Sequence, residues 1–163
     1  MDSFRHGNAA ALWQDLIREG EQRRHLALGE ELQAYLVFAL MRHLSDAEIS
    51  ARVMALEWLQ AQERPVSPGR LRDVGDRCLL IAGWFPRLAR RRHVSRDYFI
   101  DLGRGAYISA AERAPRCERS LFAQLAEAFL SLVDVLSAVR EPSLAAIPLA
   151  IDRPPPPTQL KLN

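Results

Sequence analysis

Residues 71–111, LRDVGDRCLLIAGWFPRLARRRHVSRDYFIDLGRGAYISAA, read as two helices joined by an arginine-rich elbow. Pro68 suits a first helical turn and Pro86 cannot continue one, which predicts a helix over 68–84. Ser95 can cap the next helix, with Asp97 in its first turn, where a negative charge meets the positive end of the helix. A glycine inside a helix costs up to about 1 kcal/mol against alanine. Even so, Gly75, Ala82 and Gly83 lie on the first helix, and Gly103, Ala106 and Ala110 along the second. Such a row is tolerated where another backbone comes close. The two helices are therefore expected to cross small face to small face and to push the elbow into solvent.

Upstream, Asn8 suits the N-cap of a helix running to about Arg24, with Leu12, Trp13, Leu16 and Ile17 on one face and Gly20 marking an end or a bend. A second helix is expected from Glu30 to His43. Its middle, AYLVFALM, is apolar all round and so belongs at the centre of the domain. Ser45 and Glu48 form a capping box for a third helix that turns Ile49, Val53, Leu56 and Leu59 inward and ends at Pro65. Downstream, Phe122, Leu125, Phe129, Leu132, Leu136 and Val139 alternate at three- and four-residue spacings, the periodicity of one long helix packed within the bundle. From Pro142 the helical period disappears, and Pro154 to Pro157 form a stiff extended run. The fold class is all-α: a single-domain bundle of about six helices over 1–141, with an extended Pro-rich tail over 142–163.

The chain has 163 residues, 48% apolar and 26% charged, the composition of a globular domain able to bury its own core. A net charge of +2 is too small to point to nucleic acid or a membrane as partner of the whole molecule. Lys161 is the only lysine. A GC-rich genome favours arginine in the same way, which lowers the weight of any arginine spacing. Cys78 and Cys117 make neither a C-x-x-C pair nor a metal-ligand spacing, no apolar leader opens the chain, and no apolar run approaches the roughly 20 residues of a membrane span. A cytoplasmic location follows as an expectation.

Two groups of residues carry whatever chemistry the sequence suggests. In the elbow, Trp84, Phe85, Arg87, Arg90, Arg91, Arg92, His93 and Arg96 combine aromatic anchors with guanidinium forks that match carboxylate or phosphate. Between the two helices, Asp76, Arg77, Tyr98, Asp101, Arg104 and Tyr107 form a polar set, read either as a ligand site or as a network locking the hairpin. No catalytic residue, cofactor or metal is expected. His6, His25, His43 and His93 are scattered, and His43 reads as a cap or core-edge residue. LSDAEISARV, at 44–53, resembles the opening of a helix-turn-helix, but MALEWLQAQ prolongs the same helix where a turn is needed.

LRDVGDRCLLIAGWFP followed by VSRDYFIDLGRGAY resembles a pattern in small uncharacterised bacterial all-helical proteins. The likeness covers about a third of the chain and implies a bacterial helical protein, with no activity attached. The leading expectation is a non-enzymatic interaction or regulatory protein that binds a protein partner, another copy of itself included, through the elbow. The alternative is a bundle holding an anionic or phosphorylated small molecule between the helices over 68–84 and 95–111. Weak nucleic-acid binding stands third.

Overall fold

A computed structural model describes residues 2–44, 67–91 and 93–145. These form seven α-helices and no strand: α1 (Asp2–Arg24), α2 (Glu30–His43), α3 (Pro68–Gly83), α4 (Pro86–Arg91), α5 (Arg96–Arg113), α6 (Arg116–Glu127) and α7 (Phe129–Ala145). The capping box at Ser45, the third helix expected after it and the tail beyond Ala145 lie outside the described residues.

The core is organised on α3, which packs along α5 and also against α7 and α2. Leu71, Val74, Cys78, Leu79, Leu80, Ile81 and Ala82 are all buried on it. α2 was expected at the centre, but it lies at the edge. Leu32, Leu36, Val37, Ala39 and Leu40 face inward, while Phe38 is 75% exposed. An apolar run thus marks one buried face here and a second face open to solvent.

The cap at Ser95 matches the sequence reading, and Ser67 caps α3 without having been read as a cap. Ser95 Oγ accepts from Tyr98 N at 3.1 Å and Ser67 Oγ from Arg70 N at 3.4 Å. Asn8, however, lies inside α1, which begins at Asp2 and runs through Gly20 without a break. Gly20 serves a close approach instead: a Cβ there would sit 2.8 Å from Val139 Cγ2 and 2.9 Å from the Val135 carbonyl oxygen of α7. α1 ends with His25 at φ 54°, its N–H donating to Gln22 O and the Leu26 N–H to Glu21 O. This is a Schellman closure with histidine in the left-handed position glycine usually takes. The buried Glu21 carboxylate then holds the connection to α2, accepting from Leu28 N and Gln33 Nε2, both at 2.7 Å.

The long periodic stretch from Phe122 to Val139 is two helices, not one. Its six apolar positions are all buried, but α6 and α7 meet at an angle of 66° around Ala128. The bend carries Phe129 over Gly103 of α5, where a Cβ would strike the ring. α7 also continues past Pro142, where the sequence suggested a boundary. Proline has no N–H to give the carbonyl four residues back, and that carbonyl, Ala138 O, accepts from Arg23 Nη1 of α1 at 3.1 Å.

Gly20→Ala should lower unfolding stability by about 1–3 kcal/mol, because overpacking against a backbone carbonyl outweighs the gain in helix propensity. Urea denaturation followed by circular dichroism measures it; an unchanged or raised midpoint contradicts the close approach.

Candidate functional site

Asp76 sits in the middle of α3 and is 1% exposed. A buried charge needs partners, because removing a carboxylate from water is costly unless hydrogen bonds replace the lost hydration. Two neighbouring helices supply them. Tyr107 of α5 donates its O–H to Asp76 Oδ1 at 2.7 Å, and Tyr35 of α2 donates to the same oxygen at 2.6 Å. The other oxygen, Oδ2, lies 3.3 Å from His43 Nε2, and His43 is itself buried in the last turn of α2. Gly75 makes room for this arrangement: a Cβ there would lie 2.5 Å from the Tyr107 ring. The two tyrosine rings meet edge to face, 6.4 Å between centroids, and Tyr107 leans on Phe129 at 5.8 Å.

Burial, reinforced by the charge of Asp76, pushes the Tyr35 and Tyr107 hydroxyls well above the ordinary tyrosine value of 10.0. Both therefore stay protonated and donate. One turn before Asp76, the half-buried Asp73 meets Arg42 Nη1 at 3.4 Å and Arg72 Nη2 at 3.5 Å.

This cluster opens on a groove of about 340 Å³. Glu31, Ala34, Tyr35, Phe38, Ala39 and Arg42 of α2 form one wall, Arg72 and Asp76 of α3 the floor, and Leu121 of α6 the opposite lip. The lining has two acidic groups, two guanidinia and an apolar middle. Arg72 Nε is buried and has no hydrogen-bond acceptor among the described residues.

Of the six polar residues picked out between the helices, Asp76 and Tyr107 come together. Arg77 is half-buried, whereas Tyr98, Asp101 and Arg104 lie on the exposed face of α5, Tyr98 stacking edge-on against Phe99. Between α3 and α5, the Tyr107 and Phe129 rings take the space left by Gly75 and Gly103. The two helices cross closely as expected, a Cβ at Gly103 standing 2.8 Å from Cys78 Cβ of α3, but the glycines also admit aromatic rings, Tyr107 at Gly75 and Phe129 at Gly103. The groove lies between α2, α3 and α6.

In the elbow, Arg87, Arg90, Arg91 and His93 are exposed, and Arg92 lies outside the described residues. Trp84 turns inward, edge-on to Trp13 at 5.6 Å, and Phe85 is half-buried. Arg96 folds back onto α3, donating from Nε to Ala82 O at 2.9 Å and from Nη2 to Ser137 Oγ at 3.3 Å.

Tyr35, Arg42, His43, Arg72 and Asp73 were not singled out as site residues. A signal existed: 35, 39 and 43 share one face of α2, and 73 and 76 share one face of α3. That the two faces meet is a tertiary fact. No protein-family model matches the chain, and no curated protein or solved structure shows significant similarity to it.

Tyr107→Phe should cost about 1.5–3 kcal/mol, the range for a buried hydrogen bond to a charged group. The tyrosine shifts also fix a pH dependence. A folded-state value above the unfolded 10.0 means that the stabilisation is complete below pH 10.0 and is lost as pH rises beyond it. In an alkaline titration the phenolate absorbance of Tyr35 and Tyr107 should appear together with loss of the helical signal. Phenolate formation in the folded chain, assigned with Tyr35→Phe and Tyr107→Phe, contradicts this.

Proposed function

We propose that the protein is a non-enzymatic, ligand-binding helical domain whose groove between α2, α3 and α6 holds a small molecule with a carboxylate or phosphate group and an apolar body. The observation that carries this reading is the buried Nε of Arg72, a charged donor beside the groove with no acceptor among the described residues. Buried donors in folded proteins nearly always have a partner, and an anionic oxygen is the one a guanidinium prefers. Arg42 lies along the same groove, so a two-armed grip on the anion is within reach. Phe38, Ala34 and Leu121 supply an apolar wall for the remainder, and the volume falls at the lower end of the range for small-molecule sites.

A second reading keeps the elbow as a docking point for an acidic protein surface. Arg87, Arg90 and Arg91 make no ion pair among the described residues. Their short helix is held by the buried Ala89 and closed by a second Schellman turn, with His93 at φ 55° and Val94 N donating to Ala89 O at 3.1 Å. Rigid presentation lowers the ordering cost of binding.

The first reading predicts that at least one phosphorylated or carboxylated metabolite raises the melting temperature saturably, and that Arg72→Gln removes the effect while Arg90→Glu leaves it. No response to a broad anion panel rejects it. The second predicts that reversing Arg87, Arg90 and Arg91 to Glu abolishes capture of an acidic partner without lowering the melting temperature. Undiminished capture rejects that one.

A further inference from the structure

We propose that His43, Asp73 and Asp76 bind one divalent transition-metal ion, zinc or a similar borderline cation, beside the groove. Their donor atoms all lie within 4.8 Å of one another. His43 and Asp76 are buried at 5% and 1% exposure, and Asp73 is half-buried. The cluster is therefore unlike the exposed acidic patches that occur on many surfaces with no ion. It also joins two helices, His43 from the last turn of α2 and both aspartates from one face of α3.

The spacing fits an ion as well as a direct contact. His43 Nε2 and Asp76 Oδ2 are 3.3 Å apart. That is at the long end for a hydrogen bond, since a charge-assisted N–H···O bond draws in to about 2.7–2.9 Å. Donors on neighbouring corners of a tetrahedral or octahedral shell with bonds of about 2.0–2.2 Å stand about 3–3.5 Å apart. Oδ1 of Asp76 is occupied by the hydroxyls of Tyr35 and Tyr107, which fixes the carboxylate and turns Oδ2 toward His43. Outer contacts of this sort commonly orient ligating carboxylates. One imidazole with two carboxylates suits zinc, cobalt or manganese better than calcium or magnesium, which take oxygen shells.

Two guanidinia stand close by, and they shape the consequence. Arg42 and Arg72 meet Asp73 at 3.4 and 3.5 Å, longer than a closed ion pair. A cation on Asp73 displaces them, and both line the groove. Metal binding thus raises the positive charge available to an anion there, so the ion and an anionic ligand reinforce one another. The metal site goes beyond the ligand reading and is tested without any organic ligand, so each can fail alone.

The test uses the full chain carrying Cys117→Ser, which removes the exposed thiol as an alternative ligand, after dialysis against a chelator. Titration with cobalt(II) should give a ligand-field absorption that saturates at about one equivalent, and zinc should displace it. His43→Gln and Asp73→Asn should each abolish the absorption while the ion-free variants keep the helical spectrum. Tyr35→Phe, which touches Asp76 but not the ion, should weaken binding by about tenfold. Absence of saturable cobalt or zinc binding in the Cys117→Ser chain overturns the proposal. So does binding that survives both His43→Gln and Asp73→Asn, since the ion then lies elsewhere. Asp73→Asn, altering a half-buried residue, keeps the test decisive should His43→Gln fail to fold.

Discussion

One carboxylate in the interior, Asp76, constrains everything around it. Unpartnered, a buried carboxylate would cost several kcal/mol; here two phenol hydroxyls and an imidazole from neighbouring helices surround it. The partners come from α2 and α5, so the charge on α3 sets how these helices lie along it. An apolar core tolerates small slips in packing, whereas a carboxylate with directed hydrogen bonds does not. Gly75 belongs to the same constraint, because Tyr107 reaches Asp76 only across the space where a side chain would stand. The neighbouring residues Gly75 and Asp76 therefore act as a unit: one admits the ring and the other accepts the hydrogen bond from its hydroxyl.

Features encoded locally were legible in the sequence. The proline and serine signals at 68, 86 and 95 delimit α3 and cap α5, and the apolar row from Phe122 to Val139 is buried at every position. Features that arise where distant segments meet were not. Helical periodicity describes which face is apolar and carries no information about a 66° bend between α6 and α7. Gly20 reads equally as a helix end or a contact point, and only the position of α7 decides between them. Tyr35 and His43 look like incidental polar residues on an apolar helix until Asp73 and Asp76 lie opposite. Trp84 beside arginines has the composition of an interface anchor, yet Trp13, some 70 positions earlier, meets it edge-on, both rings partly buried against the core.

The two regions with chemical potential differ in dielectric surroundings. Guanidinia on the exposed elbow are hydrated and screened by salt, so each contributes modestly to any one contact, and their value lies in attraction over distance. Arg72 beside the groove is partly desolvated, and a single hydrogen bond there is worth more. Helix packing produces both settings from the same residue type, which is why arginine counts alone say little about where this chain binds.

The two cysteines have opposite fates. Cys78 is fully enclosed on α3, with burial pushing its thiol up to about 12, while Cys117 is exposed in the first turn of α6. A soft electrophile therefore marks α6 alone and leaves the interior untouched. Leu121, at the lip of the groove, stands one helical turn further along the same face. A fluorophore or spin label on Cys117 thus stands one turn of α6 from the groove's lip, without any engineered attachment point.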